Sequence, residues 1–358
     1  MNKKTLLALL GISSLALAAS PFDFSKAEPF KLEAETKAIV GNVIEKEFNI
    51  KTTTFAHENR LTVDLYEFAK VTGKVAYGAG MGQAQLIADK TGAEVELNFK
   101  EYGKFDTAMY ASKDFTAGYE YSTKVNKVKV TADARYDLSG EFKQHEVTLG
   151  AKSEYMVNDK LDASAKVKLG YAKTKGVNTH TVKTGVEGTV EYRPTTNLTL
   201  GAKASVNPTF TISESKLSST VITNKLSGDV KYIPVKNLTL KSNAEVEVPV
   251  TISKDNNNLS VIATVNGKVG SSVAYDITKE LHRVDSLVIT PALETKFSYS
   301  ASPVLTITPS VNLKYSILKN LDFTSKAAAE VKFANDSNNK FGYNSVVPGI
   351  SAGLKYTW

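Results

Sequence analysis

The chain has 358 residues, a formal charge of +7 and no cysteine. The absence of cysteine excludes disulfides, thiolate metal sites and thiol nucleophiles. The basic residues are spread along the chain rather than clustered, which argues against nucleic-acid binding.

The chain opens Met1-Asn2-Lys3-Lys4, continues as an apolar run from Leu6 to Ala18, and places Ala16-Leu17-Ala18 before Ala19. A charged start, a short apolar stretch and an A-x-A site read as a cleaved signal peptide over 1–18. The run is too short to cross a bilayer as a helix, which needs ~20 residues; a short N-terminal anchor is the alternative. No Cys follows the site, so a lipoprotein anchor is excluded. Losing Lys3 and Lys4 leaves +5 on the mature chain. Residues 19–30 read as an N-terminal periplasmic segment and 31–358 as one β-domain. No other stretch is apolar enough for a membrane helix. An apolar-helix count alone would therefore give a soluble secreted protein, but barrel strands average out to modest hydropathy.

In the N-terminal third the predicted strands are 31–40, 43–56, 61–78, 93–101, 105–111 and 115–122. Between them, Ala79 to Gly92 (AGMGQAQLIADKTG) breaks the alternation and reads as a loop with a helical turn around Ala84 to Lys90. Its Gly-rich start brushes against nucleotide-binding patterns, but no βαβ unit surrounds it.

From about Val125 the alternation is clean. Leu161, Ala163, Ala165, Val167, Leu169 and Tyr171 interleave with Asp162, Ser164, Lys166, Lys168 and Gly170. Leu305, Ile307, Pro309, Val311, Leu313 and Tyr315 do the same with Thr306, Thr308, Ser310, Asn312 and Lys314. Strand side chains point alternately to opposite faces, so each strand has one apolar and one polar face. A soluble sandwich also alternates. Here, however, the strands often exceed ten residues, against ~5–6 in ordinary sheets. Lys and Glu stand in mid-strand, and small residues share the apolar face. These features favour lipid outside and water inside, in a closed sheet that leaves no backbone edge unsatisfied.

A repeat marks the turns. Tyr155, Tyr192, Tyr232, Tyr275 and Tyr315 are each followed six positions on by a residue that opens the next strand: Leu161, Leu198, Leu238, Leu281 and Leu321. The copies recur every 37 to 43 residues, the length of a two-strand hairpin with one tight turn and one longer loop. The tyrosines form an aromatic girdle at one membrane interface. Tight turns with Asn158-Asp159, Pro194, Pro234 and Asn320 then lie on the periplasmic side, and the polar stretches 173–180, 213–220, 254–258 and 335–340 on the extracellular side. Twelve strands follow from the pattern after residue 125, and the N-terminal six bring the total to eighteen. The pair 105–111 and 115–122 is short for spanning strands of ~9–11 residues. If that pair is one strand, or if the first hairpin lies outside the barrel, sixteen is the better number. The expectation is thus an all-β, transmembrane, antiparallel up-and-down barrel of sixteen to eighteen strands, with fourteen left open.

The last residues, Val346, Pro348, Ile350, Ala352, Leu354, Tyr356 and Trp358, alternate to a terminal aromatic. This resembles the final-strand signal read by Gram-negative barrel assembly machinery, where Phe is the usual terminus. Tyr356 and Trp358 are therefore the candidate assembly signal, and replacing Trp358 by Asp should block assembly and leave the chain unfolded with periplasmic chaperones. With the leader at one end and this strand at the other, the whole chain resembles Gram-negative outer-membrane porins. The resemblance implies an outer-membrane location, surrounding lipid, passage of small hydrophilic solutes and ions, a homotrimer, no cofactor, no metal and no catalysis. Porins of this kind narrow their channel with an inward loop, and Ala79–Gly92 is the candidate; an ordinary extracellular loop is the alternative.

The polar face then lines a water-filled channel. Candidate lining residues are Lys127, Lys129, Asp133, Arg135, Lys152, Lys166, Lys168, Lys203, Lys241, Glu245, Lys268, Glu294, Lys296, Lys314, Lys326, Glu330 and Lys332. Opposite charges on neighbouring strands largely cancel in a solvated lumen; the modest excess of Lys leans any selectivity toward anions. Of the four histidines, His145 and His180 fall on the same side and are the one pair able to meet, next to Glu146; a loose surface histidine is the plainer reading. The alternatives to a diffusion channel are a structural or adhesive barrel whose loops contact a host or matrix, and a substrate-specific uptake channel. Short polar loops without aromatic clusters favour the channel.

Overall fold

The computed structural model describes residues 31–45, 50–65, 68–80, 83–214, 216–255, 258–278, 286–300, 302–318, 320–336 and 339–357. The expected signal peptide, the segment 19–30, His282 and Trp358 lie outside them.

The strands are β1 (Lys31–Glu45), β2 (Ile50–Leu65), β3 (Ala69–Gly80), β4 (Gln83–Leu86), β5 (Gly92–Asn98), β6 (Lys104–Tyr110), β7 (Phe115–Val125), β8 (Val128–Ser139), β9 (Gln144–Asn158) and β10 (Leu161–Thr174). They continue as β11 (Thr179–Thr195), β12 (Leu198–Ser213), β13 (Lys216–Val235), β14 (Leu238–Asp255), β15 (Asn258–Ala263), β16 (Val265–Asp276), β17 (Ser286–Tyr299), β18 (Val304–Leu318), β19 (Leu321–Asn335) and β20 (Phe341–Thr357). Pairing is antiparallel between chain neighbours, and β20 returns to β1 from Glu33↔Thr357 to Glu45↔Ser345. The sheet is closed.

Two strands are interrupted. β4 and β5 both pair with β3, and β15 and β16 both pair with β14. Counting each interrupted strand once gives a closed barrel of 18 antiparallel strands. This corrects the strand number left at sixteen to eighteen with fourteen open: fourteen and sixteen are both excluded. The short pair is two separate strands, because β6 pairs with β5 on one side and β7 on the other. The first hairpin closes the barrel instead of lying outside it.

Boundaries in the N-terminal third also move. β1 runs through Gly41 and Asn42, which pair with Thr54 and Thr53, so no turn forms there. The expected strand 61–78 is cut by a turn in which the Phe68 N–H donates to the Leu65 carbonyl at 3.0 Å. The break between β15 and β16 has a local cause. It sits opposite Pro249, which has no N–H to give to the ladder; the Thr264 N–H still donates to the Pro249 carbonyl at 3.1 Å.

The register explains the tyrosine repeat. Tyr192 faces Leu161 and Leu200, Tyr232 faces Leu198 and Leu240, and Tyr315 faces Leu287 and Phe323. The aromatic rings therefore form a band on the outward face near the rim that holds both ends of the described chain. Above it the outward wall is apolar and open: Val167, Leu169 and Val186 are each more than half exposed. Gly267 lets the ring of its cross-strand partner Phe297 lie flat on the wall; a Cβ there would meet Phe297 Cε1 at 1.8 Å. Because the strand ladder closes on itself, with only the short β4 and β15 paired on a single side among the described residues, the barrel should resist detergent until boiled, giving two gel mobilities. A single mobility in unheated and heated samples would contradict the closed ladder.

Candidate functional site: the charged lumen and an inward turn

Directly paired residues share a face, so the register assigns the two sides of the wall. One side carries the open apolar residues. The other, concave side carries the charges and is laced by ion pairs across neighbouring strands, Lys129–Glu154 at 3.5 Å, Lys203–Glu187 at 2.8 Å, Lys225–Glu245 at 2.7 Å and Lys268–Glu294 at 2.7 Å, and by Lys166–Asp133 at 3.6 Å, which reaches from β10 over β9 to β8. Lys296 shares Glu294 at 2.8 Å, Lys314 reaches Asp322 at 3.4 Å, and Lys152 pairs with Glu154. Arg135 bonds Asp137 on its own strand at 2.9 Å. At the closing seam Lys355 pairs with Glu33 at 2.8 Å. Gly150 makes one of these pairs possible. A Cβ there would lie 2.4 Å from Asp133 Oδ1, so the glycine gives Asp133 room against the wall within reach of Lys166.

The sequence-predicted lining residues thus divide. Most belong to this lattice. Lys168, Lys241, Lys326 and Lys332 stand on the same face and make no ion pair among the described residues. Glu330 shares their face on β19. Lys127 is not on the wall; it lies in the two-residue turn between β7 and β8. Tyr356 closes the outward face of the seam opposite Ala34 and Leu321.

The stretch expected to be an inward loop, Ala79–Gly92, is mostly sheet. β3 extends to Gly80 and β4 pairs back onto it. Among the described residues of the stretch, Ile87–Thr91 leaves the wall, as a single 3-10 turn over Ala88–Lys90. It leaves on the concave side. Lys90 Nζ donates to Glu58 at 2.6 Å, and Glu58 shares its face with Lys37 and Ala76. Thr91 Oγ1 accepts from the Ala76 N–H at 3.0 Å, and Ala76 is buried to 1% beneath the turn. Backbone bonds from Ala111 to Thr91 and from Ser112 to Ala88 tie the turn to the β6–β7 connection. Beside it is a cavity of about 340 Å³ lined by Glu35, Lys37, Glu58, Arg60, Lys74, Asp89, Lys90 and Tyr110. Tyr110 donates to Glu94 at 2.6 Å, and Lys74 also holds Glu94. Sequence reasoning missed Glu35, Lys37, Glu58, Arg60 and Lys74, although their alternation with Ala34, Thr36, Asn59, Leu61 and Gly73 was readable. Above the turn, in the 140–143 loop, the Lys113 ammonium beside Glu141 holds its carboxyl below the usual range, with help from Lys143.

His145 and His180 do not meet. They lie on either side of Lys173, on the outward face, each bonded through Nδ1 to a different tyrosine. Glu146 points to the lumen and pairs with Lys183 at 2.6 Å.

No protein-family model and no curated protein matches the chain. Solved structures do. Pseudomonas aeruginosa OccK5 (OpdH) aligns at a TM-score of 0.55 and 11% identity, over 93% of this chain and 99% of that one. Acinetobacter baumannii OccAB3 aligns at 0.55 and 10%, over 92% and 99%. Pseudomonas aeruginosa OpdK, solved with vanillate, aligns at 0.54 and 9%, over 93% and 100%. At such identities the likeness is one of fold, and it spans the barrel end to end: the chain has the closed-barrel fold of Gram-negative outer-membrane porins.

Proposed function

We propose that this protein is an outer-membrane porin through which small hydrophilic solutes and ions diffuse passively, with a weak preference for anions. One observation carries the reading: a closed barrel of 18 strands whose concave face is charged along nearly every strand and whose convex face is open and apolar. A barrel of that size encloses an aqueous channel. The lattice of half-exposed ion pairs mostly cancels, and the unpaired lysines tip the balance. Export by a signal peptide over 1–18, a periplasmic segment over 19–30, insertion by barrel assembly machinery and a homotrimer belong to the same proposal; the residue patterns at 1–18 and in the last strand support export and insertion, and the resemblance to porins alone supports the trimer.

In a planar bilayer the purified protein should give large, ohmic open-pore steps, and a salt gradient should give a reversal potential of weakly anionic sign. A correctly folded barrel that does not conduct would refute the channel. Removing the Ala88–Lys90 turn should raise single-channel conductance, because the turn projects into the lumen; unchanged conductance would place the narrowest section elsewhere.

A second reading, solute-specific uptake, has its own observation: the 340 Å³ cavity beside the turn sets Arg60, Lys37, Lys74 and Lys90 against Tyr110 and three carboxylates. The OpdK structure with vanillate offers an aromatic carboxylate as a probe. Saturable block of ion current by millimolar vanillate, lost in Arg60→Gln, supports uptake; linear behaviour supports plain diffusion.

A further inference from the structure

On the outward face of β9 to β12, Lys173 is the only charged side chain apart from the histidines, and it is not isolated. The register sets it directly opposite His145 on one side and His180 on the other, and the row continues through Leu138 and Ile212. Two strand spacings place the outer two of the three basic side chains roughly 10 Å apart. The next row toward mid-wall is Tyr136, Val147, Tyr171, Val182 and Phe210. The basic row therefore stands one step above an aromatic–apolar band, at the rim away from the chain ends. In a bilayer that is the level of the lipid headgroups.

The histidines are oriented. Tyr136 Oη lies 2.7 Å from His145 Nδ1, and Tyr171 Oη lies 2.7 Å from His180 Nδ1. Tyr171 and His180 also stack, at 5.9 Å and 25°. A hydroxyl that donates to Nδ1 leaves the imidazole proton on Nε2, which then serves as the ring's free donor. Lys173 makes no ion pair among the described residues, and the nearby carboxylates are taken: Glu146 by Lys183 on the lumen side, Glu141 by Lys113 and Lys143. The Lys175 N–H donates to the Lys143 carbonyl at 2.7 Å, so two loops, each bearing a lysine, are fixed side by side above the row.

We infer that His145, Lys173 and His180 form a binding site for the phosphorylated headgroup of an outer-leaflet lipid, with the acyl chains lying along Tyr136, Val147 and Tyr171. This rests on the outer-membrane reading. The site supplies one ammonium and two imidazoles oriented by their tyrosines at headgroup depth. The charge is complementary to a phosphate, and the apolar band below suits acyl chains but not a soluble anion.

The test compares the full-length barrel in detergent with a His145→Gln/Lys173→Gln/His180→Gln variant and with Lys254→Gln, which removes a lysine elsewhere on the wall. The probe is diphosphoryl lipid A, its retention measured by native mass spectrometry, with dephosphorylated lipid A and inorganic phosphate as further arms. The wild type and Lys254→Gln should retain lipid A alike, and the triple variant should bind about tenfold more weakly. Removing the phosphates should weaken binding comparably, and millimolar inorganic phosphate should not displace the lipid. Equal retention by the triple variant, indifference to the phosphates, or displacement by free phosphate would each overturn the site. Bilayer conductance of the same preparations separates the two readings: a conducting variant that has lost lipid supports the site, whereas a conducting variant that keeps it discards the site and leaves the pore standing.

Discussion

Val167→Lys should destabilise the folded barrel by ~2–4 kcal/mol in a bilayer, the cost of a cation at the lipid midplane. That is about 30- to 700-fold in the folding equilibrium. Val167 sits in the middle of β10, is 52% exposed on the outward face, and is flanked by Ala151 and Val186 on the neighbouring strands. Among the described residues no carboxylate shares that face near Val167 to receive the new charge. The neighbouring substitution Lys166→Glu points the other way. It loses a pair with Asp133 at 3.6 Å, whose two side chains are each about a quarter exposed, and gains some repulsion, which in a solvated lumen amounts to about 1 kcal/mol. Denaturant titration in liposomes measures both. Similar costs for the two variants would mean that the inward and outward sets are exchanged or that the wall does not face lipid.

Reversing Lys168, Lys241, Lys326 and Lys332 to Glu should convert the proposed weak anion preference into clear cation selectivity. These four are chosen because none is committed to an ion pair among the described residues. Their reversal changes the lumen's charge without stranding a partner carboxylate. The same change at Lys203 or Lys268 would set Glu against Glu187 or Glu294 and confound folding with permeation. A lining of one sign concentrates the opposite ion, so the reversal potential in a salt gradient should change sign. The effect should fade at 1 M salt, where the Debye length is about 3 Å. A reversal potential that does not move would show that the turn at Ala88–Lys90, with Asp89 and Lys90, governs permeation alone.

Most of the wall was legible in the sequence because lipid and water impose a period of two on every strand that separates them. The tyrosine repeat was legible for the same reason, since an aromatic ring at the interface recurs once per hairpin. The N-terminal third was harder, and particular residues show why. Gly41-Asn42 carries a local turn signal that pairing on both flanks overrides. His57 and Asn59 put polar groups on the outward face of β2, so alternation gave no reason to join the halves of that strand. The turn after Leu65 contains no glycine or proline. The Ala88–Lys90 turn was visible as a disturbance at the right place, but its inward direction depends on Glu58 and Ala76, which are remote in sequence. The histidine–lysine row was not legible at all as a site, because its three members come from three strands and only the register aligns them.

The seven-residue strand β6 gives the barrel wall an uneven height, whereas β5 is continued along β3 by β4. Seven residues rise about 23 Å along a strand, and a tilt of 35–45° leaves roughly 16–19 Å along the membrane normal, short of an apolar belt ~25 Å tall. Lipid beside this sector must thin, or the barrel must lean, and either response costs a fraction of a kcal/mol per ångström of mismatch. The turn at Ala88–Lys90 is hinged to this same low sector. Bilayer thickness is thus expected to load the part of the wall that carries the inward turn, and single-channel conductance compared in short-chain and long-chain lipid would check this.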